Sequence, residues 1–239
     1  MERKTYAVTY KVYPNARIKP VPFHGSSVFP LYIQMTFDRK TTVYKCNLFD
    51  LFLKPKYGIG VTGETVSTNL LEIIKREEKL IEWIIDKHPD NFSLDLFKKE
   101  YDHYSIDILN EFEPIFRGFM TTFFQDEGLP SLADVLKKET PERSLAWVLD
   151  DMKLALKPDL YKKLLEYTFQ QFIPPYPILF QFAAWLVPGP LISLTIMDWE
   201  ISKKKLEFLN FMNAHHPDKD FFAIFNKTDA WLKAITPKI

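Results

Sequence analysis

The chain has 239 residues, and its 31 basic and 31 acidic residues give a formal net charge of zero. The hydrophobic fraction of 46% is typical of a globular protein, and the single cysteine, Cys46, excludes an internal disulfide and a zinc site made of several thiolates. One cysteine also favours a reducing compartment, and the charged, alternating N-terminal residues do not resemble a secretory signal. We therefore expect a cytoplasmic protein.

The charges are distributed unevenly along the chain. Residues 1–56 hold ten Lys and Arg but only three Asp and Glu, a net charge of +7, so residues 57–239 carry −7. A basic segment joined to an acidic body is typical of a polyanion-binding module attached to a second domain. The alternative is a fluctuation among solvated surface charges.

Three β-strands are predicted in the basic segment. Residues 5–12 alternate between β-branched or aromatic residues and polar ones, and residues 28–37 and 41–48 have the same strand character. A loop rich in Pro and Gly separates the first two strands, and a polar turn at residues 38–40 joins the last two. The pattern predicts a three-stranded antiparallel sheet in a domain of residues 1–60.

From Asn69 onward, the apolar residues recur with the period of an α-helix, beginning with an amphipathic stripe that ends before Pro89. The fold class predicted is therefore α+β, with the small N-terminal sheet followed by a mainly α-helical body. That body spans residues 61–239, with a sub-boundary near residues 105–130. The helices are predicted over residues 69–88, 93–101, 106–124, 130–138, 142–155, 158–171, 200–214 and 228–234.

Residues 167–197 contain no Asp, Glu, Lys or Arg, and this stretch is long enough to span a bilayer. It also contains five prolines, which would leave many backbone groups unpaired in lipid. We therefore expect a hairpin or loop buried in the protein core, and we regard membrane association as the less favoured alternative.

Motifs for catalysis or cofactor binding are weak in this sequence. Residues 58–63 match the glycine pattern GxGxxG, but Pro55 would interrupt the buried strand that a dinucleotide site requires, which favours a flexible connector. The five histidines lack the spacing of a metal site, and Cys46 has no evident base nearby. We predict no cofactor, no metal and no enzyme activity.

The basic strands suit contacts with nucleic acid. Their Lys and Arg side chains alternate with tyrosines, and Arg17 and Lys19 add two cations from the loop before the second strand. Cations bind phosphate oxygens, and a small β-sheet can lie in the major groove of DNA. A sheet that mediates oligomerisation or protein binding is the alternative.

Several features of residues 5–104 occur in one order. They are the strand region 28–48 with its polar turn, Lys54-Pro55-Lys56-Tyr57, Gly60-Val61-Thr62-Gly63, Asn69-Leu70-Leu71 at the start of a long helix, and the helix FSLDLFKKEY. In this order they resemble the arm-type DNA-binding region of tyrosine recombinases (integrases) of bacterial mobile elements. The resemblance implies that Arg39, Lys40, Tyr44 and Lys45 face DNA.

The catalytic half of a tyrosine recombinase is not recognisable in this chain. No His is followed by an Arg three residues later, and no Tyr occurs after Tyr176. We therefore predict a non-enzymatic protein that is related to the arm-binding part of integrases and contacts double-stranded DNA with a basic sheet. The alternative is a subunit of a larger complex whose helical body docks a protein partner.

Overall fold

A computed structural model of the chain describes residues 7–58, 69–138, 143–170, 175–187, 189 and 191–235. The chain forms two compact units, residues 1–106 and residues 107–239. The α+β fold class is confirmed, because a small antiparallel sheet near the N-terminus is followed by α-helices.

The first unit contains a three-stranded sheet and a separate two-stranded hairpin. In the sheet, β4 lies between β1 and β5 and pairs with both in antiparallel orientation. The short strands β2 and β3 pair only with each other, within the loop that joins β1 to β4. The five strands are β1 (Thr9–Pro14), β2 (Val21–Phe23), β3 (Ser26–Val28), β4 (Leu31–Phe37) and β5 (Lys40–Lys45).

The central strand β4 has one buried face and one open face. Leu31, Ile33 and Met35 are almost completely buried. Between them, Tyr32 is half-buried and Gln34 is exposed. Successive side chains of a strand point to opposite faces, so this alternation divides the whole sheet into an inner face and an outer face.

Both hairpins of this unit turn through two residues with positive φ. Asp38 and Arg39 have φ of 47° and 62° between β4 and β5, and His24 and Gly25 have φ of 45° and 80° between β2 and β3. Two successive positive φ values define the type I′ turn, whose twist matches that of the flanking strands. Three of these four residues are not glycine, so their left-handed conformation has an energetic cost.

Helices cover the inner face of the sheet. The N-terminus of α2 is capped by the Asn69 side chain, which accepts a hydrogen bond from Leu71 N, and that of α3 by Ser93, which accepts from Leu96 N. α2 packs against α1, α3 and β1. The helices of the unit are α1 (Asn47–Phe52), α2 (Leu70–Lys87) and α3 (Leu94–Tyr104), with a 3-10 turn at Pro55–Tyr57.

The second unit is helical throughout its described elements. α4 packs against α5 and α8, α6 packs against α7 and α8, and α9 packs against α10. The helices are α4 (Ile108–Asp126), α5 (Pro130–Lys137), α6 (Leu145–Ala155), α7 (Pro158–Gln170), α8 (Tyr176–Leu186), α9 (Ile196–Glu200), α10 (Ser202–His215) and α11 (Phe221–Ile235).

Phenylalanine rings fill much of the core of this unit, and two buried carboxylates organise the polar groups around them. Glu113 accepts a hydrogen bond from the hydroxyl of Tyr176 at 3.0 Å and pairs with Arg117 at 3.2 Å. Asp107 caps α4 and also accepts from Leu194 N at 2.9 Å, which holds the segment before α9 against the start of α4. Each buried acid therefore has partners on two elements.

The element boundaries differ from the sequence prediction at several points. The predicted strand 41–48 ends at Lys45, because residues 47–52 form α1, and the predicted strand 28–37 is divided between β3 and β4. Strand β1 runs from Thr9 to Pro14 instead of from residue 5 to residue 12, and residues 1–6 lie outside the described residues. The compact units divide at Ile106 and not near residue 60, since α2 and α3 pack with the sheet.

The charge-free stretch 167–197 does not form only a loop. Its central part is α8, eleven residues long, with Pro177 in the first turn, where a proline costs no intrahelical hydrogen bond. Within the described ranges, none of the helices combines the length and the apolar character needed to cross a bilayer. Residues 171–174, 188 and 190 of this stretch lie outside the described residues.

Candidate nucleic-acid interface

The outer face of the three-stranded sheet carries nine side chains in three rows, and we call it the open face. The pairing register places one residue of β1, one of β4 and one of β5 side by side in each row. The rows are Tyr13–Tyr32–Lys45, Lys11–Gln34–Val43 and Thr9–Thr36–Thr41. None of the nine residues is acidic.

Each row has its own chemical character. The first row has two half-buried aromatic rings beside a lysine, and Lys11 Nζ of the second row lies 5.8 Å from the centroid of the Tyr13 ring. The third row is made of hydroxyls, with the Oγ1 atoms of Thr36 and Thr41 2.8 Å apart. Aromatic rings and cations are therefore concentrated at one end of the open face, and small hydroxyl groups at the other.

The structure places the predicted basic residues at both ends of the sheet. Arg39 and Lys40 are exposed at the β4–β5 turn, next to the threonine row. Arg17 and Lys19 are exposed in the loop that follows β1, at the end where Lys45 lies. Six residue steps along β4 separate the two ends, which corresponds to about 20 Å. The predicted set is therefore two groups of cations and not one cluster.

These cations take part in no salt bridge among the described residues, although the positive charge of Lys45 attracts the Asp50 carboxylate. Within the part of the chain that the structure describes, no salt bridge involves Lys11, Arg17, Lys19, Arg39, Lys40 or Lys45. By contrast, several lysines on the helices pair with neighbouring carboxylates, as Lys98 does with Asp102. The positive charge of the sheet is thus available to an external anion.

Tyr44 does not belong to this surface, and the predicted set needs correction at this residue. Its side chain is only 9% exposed, its hydroxyl donates to the Leu94 carbonyl oxygen at 3.2 Å, and its ring centroid lies 5.5 Å from that of Phe97. Burial raises the pKa of Tyr44. Tyr44 neighbours Lys45 in sequence and consequently lies on the inner face, where it packs against α3.

The sequence prediction also omitted residues that the register brings to the open face. Lys11 and Tyr13 are close to Tyr32 and Lys45 across the strands, although they are distant in sequence, and Gln34 lies on β4 between Lys11 and Val43. The sequence shows that these residues alternate with apolar ones. It does not show that they share a face with Lys45, because that depends on the pairing register of the strands. That register depends on which residues pair across a sixteen-residue connection, 15–30.

A buried polar cluster lies directly behind Lys45. The carboxyl of Glu77 on α2 is fully buried and accepts a hydrogen bond from the hydroxyl of Tyr101 on α3. That hydroxyl accepts in turn from Asn47 N at 2.7 Å. Burial raises the pKa of Glu77 to about 7, although hydrogen bonds from Tyr101, Cys46 and Leu48 favour the charged form. The cluster joins the end of β5 to both helices that support the sheet.

Gly58 has a packing role that accounts for the first glycine of the GxGxxG pattern. A Cβ atom at this position would lie 2.6 Å from Cδ2 of His24, so a larger residue would displace the imidazole ring. The ring itself stacks on Phe23 at 4.2 Å, and burial lowers the pKa of His24. Residues 59–63 of the pattern lie outside the described residues.

The other side chains considered as reactive or metal-binding groups lie in surroundings that give them a structural role. The Cys46 thiol is fully buried, and burial raises its pKa, so it is unsuited to act as a nucleophile. His216 Nε2 is hydrogen-bonded to Gln181 Oε1 at 2.8 Å. Among the described residues, no group of three or more His, Cys, Asp or Glu side chains is arranged to hold a metal ion.

Comparison of the chain with protein-family models, with curated proteins and with solved structures finds no match. The resemblance to the arm-type region of integrases therefore stays a prediction from the sequence, and the open face has to be interpreted from its own residues.

Proposed function

We propose that the first unit binds double-stranded DNA with its open face, as a binding protein without catalytic activity. The observation that carries the proposal is a face of nine residues without any carboxylate, with cations on it and at both of its ends that take part in no salt bridge among the described residues. Such a surface attracts the phosphate backbone and releases its counterions, which is the main source of affinity for DNA.

The dimensions of the sheet fit a groove of duplex DNA. Three strands span about 10 Å across and β4 spans about 20 Å along its axis. The major groove is about 12 Å wide, and about 20 Å of its length covers about six base pairs at 3.4 Å each. Cations at the two ends of the sheet would contact phosphates. Gln34 in the middle row would contact base edges, because a side-chain amide can form two hydrogen bonds with adenine.

A relationship with the arm-binding part of integrases is a further element of this proposal. It depends on the order of strands, connector and helix along the chain, and α1 is an additional element between β5 and residues 54–57. In such a context the protein would mark a DNA site for a separate recombinase and would not cut the DNA itself.

The test measures the affinity for a mixed-sequence duplex of about 20 base pairs by fluorescence anisotropy, at salt concentrations between roughly 50 and 200 mM. We expect affinity to fall steeply with salt, and the double variant Arg39→Glu/Lys40→Glu to bind much more weakly. Loss of two phosphate contacts should reduce the slope of log K against log salt by about 1.8.

The control for this test is Lys153→Glu/Lys157→Glu, which makes the same change of charge at two exposed lysines of the second unit. The control variant should bind as the unchanged protein does. Absence of binding even at the lowest salt would overturn the proposal. It would favour instead a protein-interaction subunit, in which exposed apolar side chains of the second unit such as Trp185 and Phe222, 48% and 68% exposed, contact a partner.

A further inference from the structure

The first row of the open face combines two aromatic rings and a cation across three strands. Tyr13 and Tyr32 are direct partners in the β1–β4 register, and Lys45 is the partner of Tyr32 on the other side. Both rings are half-buried, so part of each ring remains accessible to solvent. Lys11 lies near the outer end of the row, 5.8 Å from the Tyr13 ring.

We propose that the row Tyr13–Tyr32–Lys45 stacks on an unpaired base, so that the preferred ligand is a DNA duplex that continues into a single strand. This inference rests on the proposed function and names its substrate more closely. Every base has a π-face that can stack on an aromatic ring, but inside a duplex those faces are covered by neighbouring base pairs. An unpaired base exposes its face to Tyr13 and Tyr32, whereas a duplex exposes only the outer faces of its two terminal base pairs.

The position of the row at one end of the sheet determines where the unpaired base would lie. The threonine row and the Arg39–Lys40 turn lie at the opposite end, and they offer hydroxyls and cations but no exposed ring to a duplex. Beyond the aromatic row, the loop after β1 supplies Arg17 and Lys19. These two cations would contact the phosphates of the emerging single strand, because backbone contacts and base stacking together hold single-stranded DNA.

The charge of the row also favours nucleic acid over a protein ligand. Lys11 and Lys45 flank the two rings, and no acidic residue belongs to the open face. A base attached to a phosphate matches this combination of π-face and cation, since the ring receives the base while the ammonium group receives the adjoining phosphate.

The experiment measures the affinity of the protein for three probes: a blunt duplex, the same duplex with a single-stranded tail on one strand, and the tailed strand alone. We expect about tenfold tighter binding to the tailed duplex than to the blunt one, since stacking on aromatic side chains contributes strongly for each base. Tyr13→Ala/Tyr32→Ala should abolish this difference, so that the tailed and blunt duplexes bind with equal affinity.

Tyr13→Phe/Tyr32→Phe is the matched variant, because it keeps both rings and removes only the hydroxyls, and it should retain the preference for the tail. Thermal unfolding of all variants shows whether an alanine variant has lost its fold; if it has, the single variant Tyr32→Ala replaces it.

The possible outcomes separate this inference from the proposed function. Equal affinity for the blunt and tailed duplexes overturns the stacking site and leaves duplex binding intact. A preference for the tail that survives in the alanine variant also overturns it. Binding of the single strand as tight as that of the tailed duplex supports the stacking site and overturns the duplex part of the proposed function. Absence of binding to all three probes overturns both.

Discussion

At the scale of single residues, Glu77 has the most unusual surroundings in the first unit. Its carboxyl is enclosed by α2, α3 and the end of β5, where water cannot solvate a negative charge. Burial therefore raises the pKa of Glu77 from its ordinary value of 4.5 to about 7, against the effect of its hydrogen-bond donors. The folded protein thus binds this proton more tightly than the unfolded chain does.

This difference predicts a dependence of stability on pH. The stabilisation from the Glu77 proton is fully present below about pH 4.5 and is lost as the pH rises to about 7, because the folded state must then ionise a buried acid. The free energy of unfolding should fall by about 3 kcal/mol across this range, at 1.36 kcal/mol for each pH unit. Urea unfolding of the protein and of Glu77→Gln between pH 4.5 and 8 measures the difference.

The amide of Glu77→Gln cannot ionise, so this variant should lack that part of the pH dependence. Asp86→Asn is the control, since it makes the same exchange of a carboxylate for an amide at an exposed position of the same helix. Parallel pH profiles for the unchanged protein and Glu77→Gln would show that the buried acid does not titrate in this range.

Single residues were also where the sequence was least informative about the site. Tyr44 and Lys45 are adjacent and both suited DNA contacts by residue type, but the pleat of β5 places one in the core and the other on the open face. The choice between the two faces depends on which alternating set finds apolar neighbours in the folded unit. The sequence of β5 alone does not contain those neighbours.

At the scale of elements, the β4–β5 turn affects both the stability of the fold and the proposed binding of DNA. Arg39 has a φ of 62°, in the left-handed region that a residue with a Cβ adopts only at a cost. The second central position of a type I′ turn strongly favours glycine. The fold thus holds Arg39 in a left-handed backbone conformation that is unfavourable for a residue other than glycine.

We therefore predict opposite effects of Arg39→Gly on folding and on binding. The free energy of unfolding should rise by about 1 kcal/mol, because glycine adopts this φ without strain. The affinity for duplex DNA should fall, and the salt slope should decrease by about 1, because one phosphate contact is lost. Chemical unfolding and anisotropy on the same sample measure both quantities.

Arg39→Asn is the matched variant for this test. It removes the cation while keeping a side chain that tolerates the left-handed conformation, so it should weaken binding with little change in stability. Unchanged binding in both variants would remove Arg39 from the interface.

Long periodic elements were predictable, and short or uncharged ones were not. The sheet strands, α2 and α3 follow clear patterns of period 2 or 3.6, with N-caps at Asn69 and Ser93, and the helical pattern is less sharp in α4 to α7. The helix α1 has only six residues, which is too short to establish a period. In α8 the outer face lacks charges and Pro177 lies near its start, so neither amphipathic pattern nor composition indicated a helix.

At the scale of the whole molecule, each unit has its own buried core. Leu80 of α2 is fully buried in the first unit, and Leu149 of α6 is 4% exposed in the second. Truncation of either leucine to alanine should destabilise its own unit by about 3 kcal/mol, through lost burial and the cavity left behind.

The two truncations should have different consequences for binding. Leu149→Ala should lower the thermal stability of the protein and leave its affinity for duplex DNA unchanged at 20 °C, because the open face belongs to the first unit. Leu80→Ala should reduce both, since α2 supports the sheet. If Leu149→Ala and Leu80→Ala lose the same amount of DNA affinity, the second unit takes part in binding.

The charge asymmetry of the chain indicates which unit holds the proposed site but not how that site is built. Ten of the 31 basic residues fall within the first 56, and this count depends on no structure. The separation of Arg17 and Lys19 from Arg39 and Lys40, at two ends of a sheet, follows from the pairing of β1 with β4, which brings together residues from separate parts of the sequence.

The order of the strands in the sheet also has a kinetic consequence. β5 follows β4 after only two residues, so this hairpin can form within about 1–10 μs, whereas β1 must close a sixteen-residue connection before it can pair with β4. β1 carries Lys11 and Tyr13, so the open face is completed by the later of the two pairings. During synthesis, however, β1 leaves the ribosome first, and its edge stays unpaired until β4 has followed it. Of the three strands in this sheet, the one that completes the open face is thus also the one that is exposed longest to pairing with another chain.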